Sequence, residues 1–222
     1  MAPRHPGTRK PRRRGRRPAS RPSLPRISIL CEGARTERSY FLALVRDLDL
    51  PSVKVRSPQR GQQGPAGIMT AAQQERERDS DLDEIWCVLD HDERAEEIRK
   101  FREWLERHSS AKKGSATISA AISVPCFEYW LLLHFTYTDK PFHGTPGGPS
   151  ACKQVIRELG THLHGYQKAD PGTYDRCREH TSIAIWNAKR SQRPMGASST
   201  NVWELIEKLQ ELGTTKRKRD EG

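Results

Sequence analysis

Residues 27–41 read ISILCEGARTERSYF, and this stretch decides how the chain folds. Its first five residues, Ile27–Cys31, form a short apolar run rich in isoleucine, the composition of a buried strand. Glu32-Gly33 ends the run. From Thr36 to Asp47 apolar residues return at helical spacing, with Tyr40, Phe41, Leu44 and Val45 along one stripe. Thr36 is expected to cap that helix, and Glu37 to sit favourably at its positive end. A strand that turns at once into a helix is the opening half of a βαβ unit.

The alternation continues outward. Val53–Val55 reads as a second strand, and residues 57–67 (SPQRGQQGPAG) as a loop. Ala66 to Asp79 is expected to be helical, Glu84–Leu89 (EIWCVL) a third strand, and Glu93 to His108 a helix striped by Ile98, Phe101, Trp104 and Leu105. Ala116–Ser123 follows as a fourth strand, then Pro125 to Phe135 as a helix carrying Phe127, Trp130, Leu131, His134 and Phe135. Past Thr136 a Gly- and Pro-rich loop leads to three more helices, at about 151–163, 173–190 and 199–213. Such an order implies an α/β domain: a mostly parallel four-stranded sheet flanked by helices, with additional C-terminal helices. The expected organisation is an α/β core over 27–135, a helical extension over 136–213, and disordered basic tails at 1–26 and 214–222.

The charge supports that division. The chain carries a net +11, yet residues 1–26 hold ten Lys or Arg and no acid, while 27–213 comes to −1. The folded body is therefore not a basic protein. The Arg-, Pro- and Gly-rich tail cannot bury enough apolar surface to order itself, and it suits either solubility or sequence-blind attraction to a phosphate backbone. Five cysteines without a C-x-x-C pair argue for a reducing cytoplasm, against a disulfide framework and against a zinc module. Cys31 and Cys87 lie in apolar runs and read as small core residues. Neither a membrane-spanning apolar run nor a signal-peptide pattern is present.

In an open parallel sheet, ligands bind where strands end. Here the first strand ends in Glu32-Gly33 and the third in Asp90-His91-Asp92. Carboxylates brought together at neighbouring strand ends repel one another, and a hard divalent cation such as Mg²⁺ relieves that repulsion. Glu32, Asp90 and Asp92 are thus the candidate metal ligands, although Asp92 alone could simply cap the next helix. Gly33 suits a sharp turn with a phosphate approaching. Glu128, one turn after the fourth strand, falls on the same edge, as a base for an attacking water, a fourth acidic ligand, or a charge complementing a helix end. Arg35 and Arg38 flank the Glu32 turn and are candidates for phosphate contact. So is the later basic group of Tyr166, Lys168, Lys189 and Arg190, from which Lys189 is retained. His91, His162 and His164 read as structural or exposed, and Trp86, Trp130 and Trp203 as core.

The joint order of strand, Glu-Gly, helix and then strand, Asp-x-Asp, helix resembles the Toprim domain of topoisomerases, bacterial-type primases and the overcoming-lysogenization-defect nucleases. The resemblance is closer to the RloB-like family. It is carried by CEGARTERSYF at 31–41, VPCFEYWLLLHF at 124–135 and PMGASSTNVWELIEKL at 194–209, the last with Gly-Ala where the family more often has Asn-Pro. The likeness spans about 27–212. It implies a Toprim-like (Rossmann-like) fold, phosphodiester cleavage with Mg²⁺ or Mn²⁺ as cofactor, and DNA or RNA as target. It also implies a role in prokaryotic antiphage defence beside an RloA-like ATP-binding partner; the cysteine usage and the lack of a long apolar run add a cytoplasmic location without a membrane, and a homo-oligomer is compatible. The alternative from a different class is a non-catalytic Toprim-like module that binds nucleic acid or a partner. A primase-like polymerase fits less well, because no zinc-ribbon or helicase-docking segment accompanies the domain.

Overall fold

The computed structural model describes residues 23–33, 35–59, 63–91, 94–109, 115–191 and 198–221. Five strands form one sheet: β1 (Ile27–Cys31), β2 (Val53–Arg56), β3 (Glu84–Asp90), β4 (Thr117–Val124) and β5 (Ser199–Thr200), in the order β2-β1-β3-β4-β5. The first four run parallel and β5 is antiparallel. The fold is therefore the α/β arrangement expected, compatible with a Toprim-like fold, with one strand more.

Side-chain alternation gives the sheet two apolar faces. Ile27, Ile29, Cys31, Trp86 and Val88 face one core, and Leu30, Ile85, Cys87 and Leu89 the other. Helices α2 (Pro65–Arg78) and α3 (Ala95–His108) cover the second face, through Ile68, Ala72, Ile98, Phe101 and Trp104. The first face is covered by α1 (Thr36–Asp47), α4 (Phe127–Leu132), α5 (Ala151–His162), α6 (Thr173–Cys177), α7 (Thr181–Arg190) and α8 (Val202–Asp220). Helix α4 is buried on every side, since all six of its residues are shielded from solvent. Each such Leu or Phe contributes roughly 1.5–3 kcal/mol by leaving water, so α4 anchors the layer around it.

Four expectations need correction. The segment 199–213 is not a uniform helix. Ser199 and Thr200 pair with Val124 and Ser123 of β4, and the helix starts only at Val202. Asn201 completes the edge: its Oδ1 accepts from the Ile122 N–H at 2.7 Å and its Nδ2 donates to Ala120 O at 2.9 Å. An otherwise open sheet edge takes priority over local helix propensity. The stretch 173–190 is likewise broken, into α6, a 3-10 turn at Arg178–His180 and α7. There the Thr181 hydroxyl donates to Arg178 O and competes with regular helical bonding.

The remaining two concern the termini and the cysteines. Helix α8 runs on to Asp220 rather than stopping at 213, with Lys216 paired to Asp49 and Asp220. At the other end residues 1–22 lie outside the described residues. Arg26, however, is tied down: its side chain pairs with Asp79 at 2.9 Å and Asp81 at 2.7 Å, and its N–H donates to Asp83. Lastly, Cys126 and Cys152 form a disulfide, their Cα atoms 5.7 Å apart. That pairing joins residues 26 apart in sequence and follows from the tertiary fold, which cysteine spacing does not encode. Cys31 and Cys87 are free and buried, as expected. Among the described residues no helix is long and apolar enough to cross a membrane.

Candidate active site

Because β1, β3 and β4 are adjacent and parallel, their carboxyl ends open on one edge of the sheet. The Glu32 N–H donates to Val88 O at 2.9 Å, extending the β1–β3 ladder by one residue and fixing where its side chain starts. Glu32 Oε2 accepts from the N–H of Asp90 at 3.3 Å. The other oxygen, Oε1, meets Arg94 Nη1 at 2.6 Å. The N–H of Arg94 donates to His91 O. Asp90 turns the other way, and its Oδ1 accepts from Phe127 N–H at 2.9 Å, at the start of α4.

Two further carboxylates close the cluster. Glu37, in the first turn of α1, is buried and its carboxylate lies against Gly33. A Cβ on Gly33 would meet that carboxylate, the far end of a flexible side chain, so the two residues are in close approach here. Glu128, in the first turn of α4, is 2 % exposed. Its Oε1 accepts from Tyr166 Oη at 3.2 Å and faces Lys168 Nζ at 3.3 Å, while Cys152 Sγ lies 3.4 Å from its Oε2. The loop that carries Tyr166 and Lys168 is pinned to α1 by Ala169 N–H, which donates to Thr36 Oγ1 at 3.1 Å. Thr36 is thus the first helical residue with its hydroxyl spent on that loop, and Arg35 takes the capping position.

Together these side chains line a cavity of about 530 Å³ with Glu32, Gly33, Arg35, Thr36, Glu37, Gln63, Asp90, Arg94, Glu128, Lys168 and Ala169 on its walls. Four carboxylates share it. Burial pushes Asp90 well above the usual carboxylate range, and the neighbouring charges of Glu37, Glu128 and Glu32 push the same way against Lys168. Burial also raises Glu37 to about 7, aided by Glu128 and Glu32 and opposed by its backbone hydrogen bond and Lys168. Burial lifts the Tyr166 phenol too, with Glu128 beside it, so Tyr166 stays a proton donor.

Of the residues expected at the site, Glu32, Asp90, Glu128 and Arg35 come to this cavity. Asp92 lies outside the described residues. Arg38 sits half-buried on α1 and is not on the cavity wall. Lys189 is elsewhere: it pairs with Glu207 at 2.6 Å and lies 4.5 Å from the centre of the Trp203 ring. His162 stacks on Phe135. Glu37, which the sequence marks only as a helix-end charge, lies on the cavity wall, as does Lys168, with Tyr166 bonded to Glu128 beside it. Arg94 was missed outright, and the sequence offers no signal for it beyond its place after Asp90-His91-Asp92.

A family model described as "RloB-like protein" matches residues 27–209. Neither a search of curated proteins nor one of solved structures found a match.

Proposed function

Because the chain belongs to the RloB-like family, we propose that it is a metal-dependent nuclease of Toprim type that cleaves nucleic acid phosphodiesters. The observation that carries this reading is the crowding of Glu32, Glu37, Asp90 and Glu128 around one cavity at the carboxyl edge of the sheet, with Asp90 and Glu37 driven toward protonation. An all-oxygen donor set with surplus negative charge fits a hard divalent cation, Mg²⁺ or Mn²⁺.

In this reading Glu32 and Asp90 hold the ion, joined by Asp92, which follows Asp90 by two residues. A bound ion of that kind lowers the pKa of a water and offsets charge developing on phosphate. Glu128 accepts the proton of the attacking water. Its carboxylate is aimed by two donors, Tyr166 and Lys168, which hold it in one orientation. Lys168, Arg94 and Arg35 supply the positive wall against which a phosphate settles. The basic stretch within residues 1–26 adds sequence-blind affinity for the backbone by counterion release. A place in prokaryotic antiphage defence, beside an RloA-like ATP-binding partner in the cytoplasm, belongs to the same proposal, as does assembly into a homo-oligomer.

The second reading, a non-catalytic binding module, has one observation in its favour: Arg94 already neutralises Glu32. Cleavage separates the two. Plasmid DNA and a tRNA pool are incubated with the full chain and Mg²⁺ or Mn²⁺, beside Glu32→Ala and Asp90→Ala. A nuclease loses at least a hundredfold in rate in both variants. Equal background cleavage by all three proteins leaves the binding module.

A further inference from the structure

We propose that Cys126 and Cys152 are a reversible thiol-oxidation site that sets the state of the Glu128–Lys168 arm of the cavity. Its bearing on catalysis rests on the nuclease reading above; its chemistry does not.

The pair occupies a particular place. Cys126 is the residue just before α4, one position ahead of Phe127, whose N–H holds Asp90, and two ahead of Glu128. Cys152 is the second residue of α5. Its sulfur lies 3.4 Å from Glu128 Oε2 and 3.5 Å from Lys168 Nζ, both groups of the cavity wall. One ligand atom each from Cys126, Glu128 and Cys152 lies within 4.8 Å of the others. The sulfur pair therefore touches the same carboxylate and the same ammonium that the cavity uses. The two helices already pack through Leu131, Val155 and Leu159 in a common apolar core, so the cross-link is not what brings them together. Cys31, Cys87 and Cys177 are free and buried elsewhere.

The oxidant is hydrogen peroxide, small enough to reach Cys152, a residue that is 7 % exposed. The Cys152 thiolate, with Lys168 beside it, attacks the O–O bond: an S–O bond forms, O–O breaks, and the leaving hydroxide takes a proton to become water. The Cys126 sulfur then attacks the sulfenic sulfur of Cys152: S–S forms, S–O breaks, and a second water leaves with the Cys126 proton. Two thiols lose two electrons and one peroxide becomes two waters. A dithiol reverses the step by thiol–disulfide exchange and is itself oxidised to a disulfide.

Each state treats the arm differently. In the disulfide, Cys152 sulfur is uncharged, so it offers Lys168 no charge beside that of Glu128, and the start of α4 is fastened to α5. In the dithiol, the sulfurs separate to non-bonded contact and a Cys152 thiolate competes with Glu128 for Lys168.

The test uses the full-length chain, once reduced with dithiothreitol and once treated with hydrogen peroxide. After each treatment the thiols are alkylated under denaturing conditions and counted by mass spectrometry, and Lys168 acetylation by acetic anhydride is timed on the folded protein with Lys100 as reference. All five cysteines are expected to be alkylated after reduction, and three after oxidation, with the Cys126 and Cys152 peptides joined. Lys168 is expected to react at least threefold more slowly in the reduced protein while Lys100 is unchanged. The double variant Cys126→Ser, Cys152→Ser is expected to show one Lys168 rate under both treatments. The proposal is overturned by five alkylated thiols after peroxide, by a disulfide that dithiothreitol does not open in the folded chain, by Zn²⁺ held by the dithiol in place of oxidation, or by Lys168 rates that do not differ in the wild type. Cleavage measured in parallel is a separate readout: thiols that interconvert and a Lys168 rate that shifts, with no cleavage in either state, reject the nuclease and keep the oxidation site.

Discussion

Arg94 Nη1 lies 2.6 Å from Glu32 Oε1, so the carboxylate best placed to hold a cation already faces one. A guanidinium cannot be titrated away, and an incoming divalent ion must displace it. Arg94→Ala removes that competitor. Mn²⁺ binding, followed by electron paramagnetic resonance, is expected to tighten about tenfold, the equivalent of ~1.4 kcal/mol. Cleavage is expected to fall, because the proposed function gives the same side chain a part in binding phosphate. Unchanged Mn²⁺ affinity would remove Glu32 from the ligand set.

The buried carboxylates make the metal-free protein sensitive to pH in an unusual direction. Glu37 has its pKa raised to about 7 in the fold, against an ordinary value of 4.5. The folded chain therefore binds more protons than the unfolded chain between these values, and stability falls as pH rises through that window. Asp90 is shifted the same way. Urea denaturation of the metal-free protein is expected to show a loss on the order of 2–3 kcal/mol between pH 4.5 and 7. Glu37→Gln should flatten the profile and be the more stable protein at pH 8. A profile that rises toward neutrality would mean that these carboxylates are paired more strongly than they are desolvated.

The residues legible in the sequence are those whose position follows from strand periodicity. Glu32 and Asp90 end apolar runs of β1 and β3, and any parallel pairing of those runs puts both on one edge. Glu128 was legible for a related reason, in the first turn of the helix that follows β4. Lys168 and Tyr166 stand out less, because they reach the cavity from a loop after α5 that long-range bonds hold in place, Ala169 N–H to Thr36 and Tyr166 Oη to Glu128 among them. Periodicity carries no information about such a bond. The Cys126–Cys152 pair and the short β5 were hidden likewise, each depending on which distant segment the fold delivers.

That same loop holds a strained residue. Ala169 adopts φ 72°, a left-handed conformation that costs a side chain roughly 1–2 kcal/mol. Ala169→Gly relieves the clash and costs about 0.5–1 kcal/mol of added freedom in the unfolded chain. The variant is expected to gain about 0.5 kcal/mol, seen as a higher urea midpoint with an unchanged slope. A loss of stability would show that the Ala169 methyl is needed where the loop meets the cavity wall.

Asn201 stands in for a strand residue at the β4 edge, and its two side-chain bonds are of opposite polarity. Replacing it with alanine leaves the Ile122 N–H and the Ala120 carbonyl without side-chain partners, at a cost of about 2 kcal/mol. Asn201→Asp keeps an acceptor for Ile122 N–H but sets a charged oxygen against Ala120 O, so it should be no more stable than the alanine variant. The order Asn above Ala, with Asp at or below Ala, is what a bidentate amide requires, and chemical denaturation of the three proteins measures it. Since β4 leads directly into Cys126 and α4, the same variants should loosen the start of α4. Faster hydrogen exchange at the N–H of Phe127, the donor to Asp90, would register that link between the sheet edge and the carboxylate cluster.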